Sequence, residues 1–334
     1  MTRLLSKTLT RDSNMELLRI IAMLLVMIVH ANFKVIGIPA YEELATEPVE
    51  TYARFFIGAL SIICVNVFVL LSGWYGINFK LEKLGKLIFQ VCFFIGLISI
   101  AFGAWRDNPV ALLREFAQNY WFVTAYVLLF IFAPFLNAFA EQANKTLFKT
   151  LLITLFLYQT IVSYIGNSPW YDDGYSPLPF FSLYLLARYI NIYSPKWFSF
   201  PKRIDFIIWL GSSLFIAFCS VVLLYFQAGG GRMYNYTSPI VIISSVYFFL
   251  FFTKNTFRSP IVNWLGKSAF AVFLVHMHPL FFNRYYAPLI RGWYETLPLP
   301  IAFIAIMAYI LLIFLIAVLI DKVQLKLFSS LKRV

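Results

Sequence analysis

The chain is short of charge and nearly without histidine and cysteine. Only 13% of its 334 residues are Asp, Glu, Lys or Arg, and it holds three His and three Cys. Cys64, Cys92 and Cys219 stand far apart inside apolar stretches. They lack metal-ligand spacing or a pairing pattern, so they read as small packing groups. There is no HExxH and no carboxylate cluster, so a metal centre is not expected. Long polar stretches, low-complexity tails and strong internal repeats are missing too. That leaves no soluble domain in view and none of the repeat symmetry of many secondary transporters. What is present is apolar: 61% hydrophobic residues and 19% aromatics, led by 37 Phe, with a mean hydropathy of +0.79. Soluble domains lie near half apolar and about a quarter charged. The chain is therefore expected to lie in a lipid bilayer as a multi-pass protein. Its net charge of +12 is spread between apolar segments without a dense patch, which speaks for membrane topology and against a nucleic-acid partner.

Ten segments are long enough to span a bilayer: 15–38, 52–77, 86–104, 119–140, 147–166, 178–194, 204–227, 237–253, 268–290 and 298–320. The expected fold is all-α, a polytopic transmembrane helical bundle forming one domain over 1–334. Most of the 27 Lys and Arg fall on one side when the N-terminus is placed inside. These include Arg3, Lys7 and Arg11; Lys80, Lys83 and Lys86; Lys254, Arg258 and Lys267; and Lys332 and Arg333. The positive-inside rule then puts both termini in the cytoplasm. The basic residues ahead of the first apolar stretch suggest a signal peptide. Nine further spans, and ionisable residues within that stretch, favour a retained first helix instead.

That first segment, MELLRIIAMLLVMIVHANF, carries the most information. Arg19 and His30 are eleven residues apart, or about 20° past three full turns and roughly 16 Å along a helix. Both are expected on one face, one near the membrane edge and one deep in it. Ionisable groups at such depth usually face a protein interior or a wet cavity. Glu16, three residues before Arg19, can pair with it on that face. The other donors of the guanidinium fork suit a phosphate, and a neutral imidazole at His30 can accept a proton from a hydroxyl.

The remaining polar residues of the spans are less decisive. His276 and His278, in FLVHMHPLFF, point to opposite helical faces, and Pro279 makes a kink expected there. His276 is the one favoured to line a cavity. Asn66 and Ser72, in CVNVFVLLSGWYGI, are candidate cavity residues, although helix packing explains them equally well. Trp121 opens the fourth span; an aromatic belt at the interface accounts for it, and a sugar-stacking surface is the sharper alternative.

The chain resembles the acyltransferase-3 family of integral membrane enzymes, which O-acylate bacterial surface polysaccharides and related glycans. The opening helix has that family's Arg-x10-His spacing as Arg19 to His30. VNVFVLLSGWY, YWFVTAYVLLFIFAPFLN and SAFAVFLVHMHPL resemble three further family segments, in similar order over residues 15 to 280. Many members carry an Arg-x-Arg pair after the second span, where this chain reads INFKLEKLGK, so Lys80 and Lys83 stand in as donor-binding candidates. The resemblance implies a multi-pass enzyme of the bacterial inner membrane. It would move an acyl group, acetyl first, from acetyl-CoA or another acyl-CoA to a glycan or lipid-linked saccharide. His30 would be the catalytic base, with acyl-CoA as co-substrate and no bound cofactor. The competing reading is a transporter or flippase for a lipid-linked glycan. Transport alone gives no reason to align an imidazole with an anion-binding arginine.

Overall fold

The computed structural model describes residues 12–103, 120–166, 168 and 171–331, and among these no strand occurs. The first helix, α1 (Ser13–Val29), continues as a π-helical turn over His30–Ile36 that ends at Gly37. Gly37 sits at φ 111°, a backbone region that disfavours other residues. After the short α2 (Tyr41–Thr46), α3 (Pro48–Ser61) and α4 (Cys64–Tyr75) together make the second span. Gly76 ends α4 at φ 71°, a positive value that favours glycine. Then follow α5 (Leu81–Ala101), α6 (Trp121–Gln142), α7 (Lys145–Tyr158), which runs on as π-helix to Ile165, α8 (Pro177–Tyr193) and α9 (Lys202–Tyr225). The C-terminal part holds α10 (Pro239–Thr253), α11 (Pro260–Gly266), α12 (Ala269–His276), α13 (Ala287–Thr296) and α14 (Leu299–Leu331).

Helix starts follow local chemistry. Proline occupies the first turn of α3, α8, α10 and α11, where its missing N–H costs nothing. Side-chain oxygens of Asn144 and Ser259 cap α7 and α11.

The ten expected spans each coincide with helix, but not all are simple crossings. Among the described residues eight helices are long and apolar enough to cross a membrane, or nine if one bent pair counts as a span. The bent pair, Pro260–His276 and Pro279–Thr296, turns through 68°. Pro279 stands at the break, as its lost N–H and its restriction of the preceding residue require. The sixth segment, α8, has 17 residues, about 26 Å long, short of the roughly 30 Å of a hydrocarbon core. The basic residues Arg3, Lys7, Arg11, Lys332 and Arg333 lie outside the described residues.

The bundle is built around α1, which packs against α3, α4, α10, α11, α12 and α14. α4 also lies along α8, where Gly73 permits close approach: a Cβ there would come 2.4 Å from the Tyr184 carbonyl oxygen. Tyrosine hydroxyls tie helices to one another by donating to backbone carbonyls. Tyr286 donates to Met27 (2.6 Å), Tyr120 to Leu274 (2.6 Å) and Tyr234 to Phe55 (2.7 Å). Two ionic pins lie at opposite ends of the bundle. Lys254 pairs with the fully buried Asp205 and donates to the Phe200 carbonyl, joining α9 to the end of α10. Arg54 pairs with Glu43 and donates to the Gly37 carbonyl, joining α3 to α2 and to the end of the π turn.

Candidate active site

The α geometry of α1 holds up to Val29, so the spacing between Arg19 and His30 keeps its helical phase. Both side chains line one cavity of about 1100 Å³. At one end its wall holds Arg19, Gly266, Lys267, Leu87 and Gln90. Phe68, Phe122, Phe273 and Met277 line the middle beside His30. Lys34, Trp121, Tyr175, Tyr236, Arg232 and Asp173 line the far end.

At the Arg19 end, the guanidinium Nη1 donates to both carboxylate oxygens of Glu16, at 2.8 and 2.7 Å. Its Nη2 and Nε make no hydrogen bond among the described residues. Glu16 itself is buried behind the wall rather than lining it, and it packs against Gly266. A Cβ at Gly266 would fall 2.5 Å from Glu16 Oε2, so glycine there is what lets the α11–α12 turn reach α1.

His30 is the imidazole that reaches the cavity. Its Nδ1 lies 3.0 Å from Nε2 of His276, and the ring centroids are 5.3 Å apart. His276 is fully buried and does not line the cavity; it stands directly behind His30, with its Nδ1 2.7 Å from the Val272 carbonyl oxygen. This differs from the expected lining role, because α12 presents Phe270 and Phe273 to the cavity, followed by Met277 just past its end, and His276 turns toward α1. His278 lies across the helix break, where its Nδ1 accepts from the Leu280 N–H.

Ser72 and Trp121 line the cavity as expected, and Ser72 shares a hydrogen bond of 3.2 Å with Tyr126. Asn66 does not. It is buried at the top of α4, where its Nδ2 donates to the Tyr236 carbonyl, so it holds the far wall from behind. Lys80 and Lys83 are outside the cavity as well. Lys80 precedes α5 in extended conformation, and the Lys83 ammonium turns back to the Asn78 carbonyl. The cations that do line the wall are Arg19, Lys34, Arg232 and Lys267. In the sequence Lys267 registers only as a topological charge, one residue ahead of the segment that carries the resemblance. Lys34 follows His30 by four residues, a spacing that would have flagged it.

The far end is aromatic. The Trp121 ring stands 4.5 Å from Tyr175 and 6.1 Å from Tyr236, and Tyr175 stands 5.3 Å from Tyr236. The Arg232 guanidinium is held at that mouth by the Tyr164 and Ile165 carbonyls. Among the described residues no group of His, Cys, Asp and Glu is arranged to hold a metal ion.

The cavity thus joins an end that holds Arg19 and Lys267, a single accessible imidazole, and an aromatic end that holds Lys34 and Arg232, inside a membrane bundle. No curated protein and no solved structure matches the chain. The family model described as an acyltransferase domain (Acyl_transf_3) matches residues 12–320, and so takes in both ends of that cavity and every helix that lines it. The chain belongs to the acyltransferase-3 family and is a multi-pass membrane acyltransferase.

Proposed function

We propose that this enzyme is an O-acyltransferase of a bacterial inner membrane. It moves an acyl group, acetyl first, from cytoplasmic acyl-CoA to a hydroxyl of a surface polysaccharide or lipid-linked glycan. The observation that carries this reading is the single cavity that runs from Arg19 past His30 to the aromatic end. Donor and acceptor then meet at His30 from opposite sides, without either crossing the bilayer whole.

The donor's phosphates bind at the Arg19 end. Glu16 holds one nitrogen of the guanidinium and leaves two for an anion, and Lys267 adds a mobile point charge. The thin pantetheine arm extends between α1, α4 and α12, through a wall of Phe and Leu, and brings the thioester to His30. The acceptor enters at the other end, where Trp121, Tyr175 and Tyr236 offer faces for a sugar ring.

His30 acts as general base. It takes the acceptor hydroxyl proton as the oxygen attacks the thioester carbonyl carbon. The new C–O bond forms, the C–S bond breaks, and the proton passes from His30 to the departing CoA sulfur. Direct transfer needs one such cycle, whereas an acyl-histidine would need two.

The test is acyl transfer by the purified protein in lipid nanodiscs, with released CoA read by a thiol reagent. Mass spectrometry of surface glycans from cells with and without the protein reports acyl mass and acceptor together. The expected result is acetyl-CoA turnover and a glycan mass loss of one acyl group in the deletion strain. His30→Ala should lower transfer by about 100-fold or more with unchanged insertion and thermal midpoint. Wild-type acylation by a folded His30→Ala protein would overturn the mechanism.

A further inference from the structure

We propose that His276 is a positioning residue that dictates which nitrogen of His30 carries a proton, and so leaves His30 Nε2 bare toward the cavity. The inference rests on the reading of His30 as the base and adds the group that sets its tautomer.

A chain of donors and acceptors with one fixed end carries the argument. The Val272 carbonyl can only accept, so His276 Nδ1, 2.7 Å away, must carry the hydrogen between them. A neutral imidazole protonated on Nδ1 has a lone pair on Nε2. That Nε2 lies 3.0 Å from His30 Nδ1, so His30 must donate, and its Nδ1 carries the proton. The remaining nitrogen of His30, Nε2, is then left with a lone pair. One backbone carbonyl thereby sets the protonation of two rings in sequence.

The surroundings suit a neutral His276. It is fully buried against the aromatic rings of Phe273 (5.9 Å) and Tyr286 (5.6 Å). No carboxylate hydrogen-bonds to either imidazole among the described residues, and a buried imidazolium without such a partner is costly. A charged His276 would also donate from Nε2 to His30 Nδ1 and strip the base of its free lone pair.

This arrangement differs from an imidazole backed by a carboxylate. The orienting acceptor is neutral, so its contribution is direction more than charge. During transfer the hydroxyl proton comes to His30 Nε2 and leaves from there to the CoA sulfur. The Nδ1–H to His276 bond persists throughout, and His276 gains and loses nothing.

His276 also occupies a particular place on its helix, α12. His276 is its last residue, and the break at Met277, His278 and Pro279 follows at once. Its ring bonds the carbonyl four residues back on its own helix, which locks the side chain along the helix and aims Nε2 at α1.

The experiment compares His276→Leu and His276→Gln with wild type in nanodiscs. Glutamine can accept from His30 with its carbonyl oxygen and donate to Val272 with its NH2, so it keeps the relay. Leucine fills similar space and keeps nothing. The expected result is a kcat loss of about 100-fold or more for His276→Leu with the acetyl-CoA KM little changed, and restoration to within about tenfold of wild type by glutamine.

A second readout needs no turnover. The chain has only three histidines, so 15N-histidine labelling gives three imidazoles for solid-state magnetic resonance, assigned by single substitutions. His30 should be protonated on Nδ1 in wild type and in His276→Gln, and should move toward the Nε2-protonated form in His276→Leu. A wild-type His30 protonated on Nε2, or a His276→Leu enzyme with wild-type kcat, would overturn the proposal. Transfer surviving in His30→Ala would instead remove the base itself, so the two failures are distinguishable.

Discussion

Arg19 and His30 could be paired from sequence because a helix fixes phase. Eleven residues bring a side chain back to nearly the same face, and α1 stays α-helical until His30, where the π turn begins. The partner of His30 was hidden for the complementary reason. His276 lies 246 positions away, and nothing local to FLVHMHPLFF says that its ring turns from the cavity toward α1. Lys80 and Lys83 show the reverse, a local pattern without a place on the cavity wall. They stand where the resemblance puts an Arg-x-Arg pair, but neither lines the cavity, and the Lys83 ammonium bonds the Asn78 carbonyl instead. At this scale the guanidinium of Arg19 makes a sharp expectation. A charge-assisted hydrogen bond contributes about 1.5–3 kcal/mol, so Arg19→Ala should weaken CoA binding by roughly tenfold to a hundredfold. Arg19→Lys should recover only part of this, because lysine keeps the charge and loses the fork. Titration calorimetry with CoA on the folded variants measures both. Unchanged affinity in Arg19→Ala would reduce this arginine to a helix-anchoring pair with Glu16.

Helices were legible from apolar length and from proline, and their breaks only in part. The kink at Pro279 follows from its ring, and the bend of 68° appears there. The π turn at His30–Ile36 has no such signal, since HANFKVI contains neither proline nor glycine. Tertiary contacts flank the turn at either end. The Tyr286 hydroxyl takes the Met27 carbonyl just before it, and Arg54 holds the Gly37 carbonyl just after it. The α11–α12 turn offers the clearest test at this level. Gly266 is the residue through which that turn meets Glu16, and a methyl group would stand 2.5 Å from a carboxylate oxygen and 3.0 Å from the Glu16 carbonyl. Gly266→Ala should therefore displace Glu16, and Arg19 with it, at an overpacking cost of about 1–3 kcal/mol. Acetyl-CoA KM should rise several-fold in steady-state assays. Gly211→Ala is the control, since nothing lies within 4 Å of its added Cβ. Equal KM values for the two variants would detach Glu16 from donor binding.

Across the whole molecule some charged side chains pin the bundle and others face the cavity. Sequence alone did not separate these. In the sequence Lys254 counts only as one of the charges of the topology pattern, yet it is the partner of the wholly buried Asp205. Lys254→Met should leave an uncompensated carboxylate and lower stability by about 3 kcal/mol, near the low end for a broken buried pair because the lysine is partly exposed. Asp205→Leu combined with Lys254→Met should recover much of that loss, which thermal midpoints in one detergent can compare. The cavity-facing cations carry a different consequence. Lys267 and Arg232 are both exposed, and they line opposite ends of a cavity whose axis follows α1. If donor and acceptor enter from opposite sides, these two positions must face different aqueous compartments. Lys267→Cys and Arg232→Cys, each made after replacing Cys64, Cys92 and Cys219 by serine, test this in sealed inside-out and right-side-out vesicles with a membrane-impermeant maleimide. Lys267→Cys should react only in inside-out vesicles and Arg232→Cys only in right-side-out ones, and acetyl-CoA should slow the first reaction without touching the second. Labelling of both from the same side would mean that the cavity opens to one compartment, and the acceptor would then have to be a molecule available where acyl-CoA is.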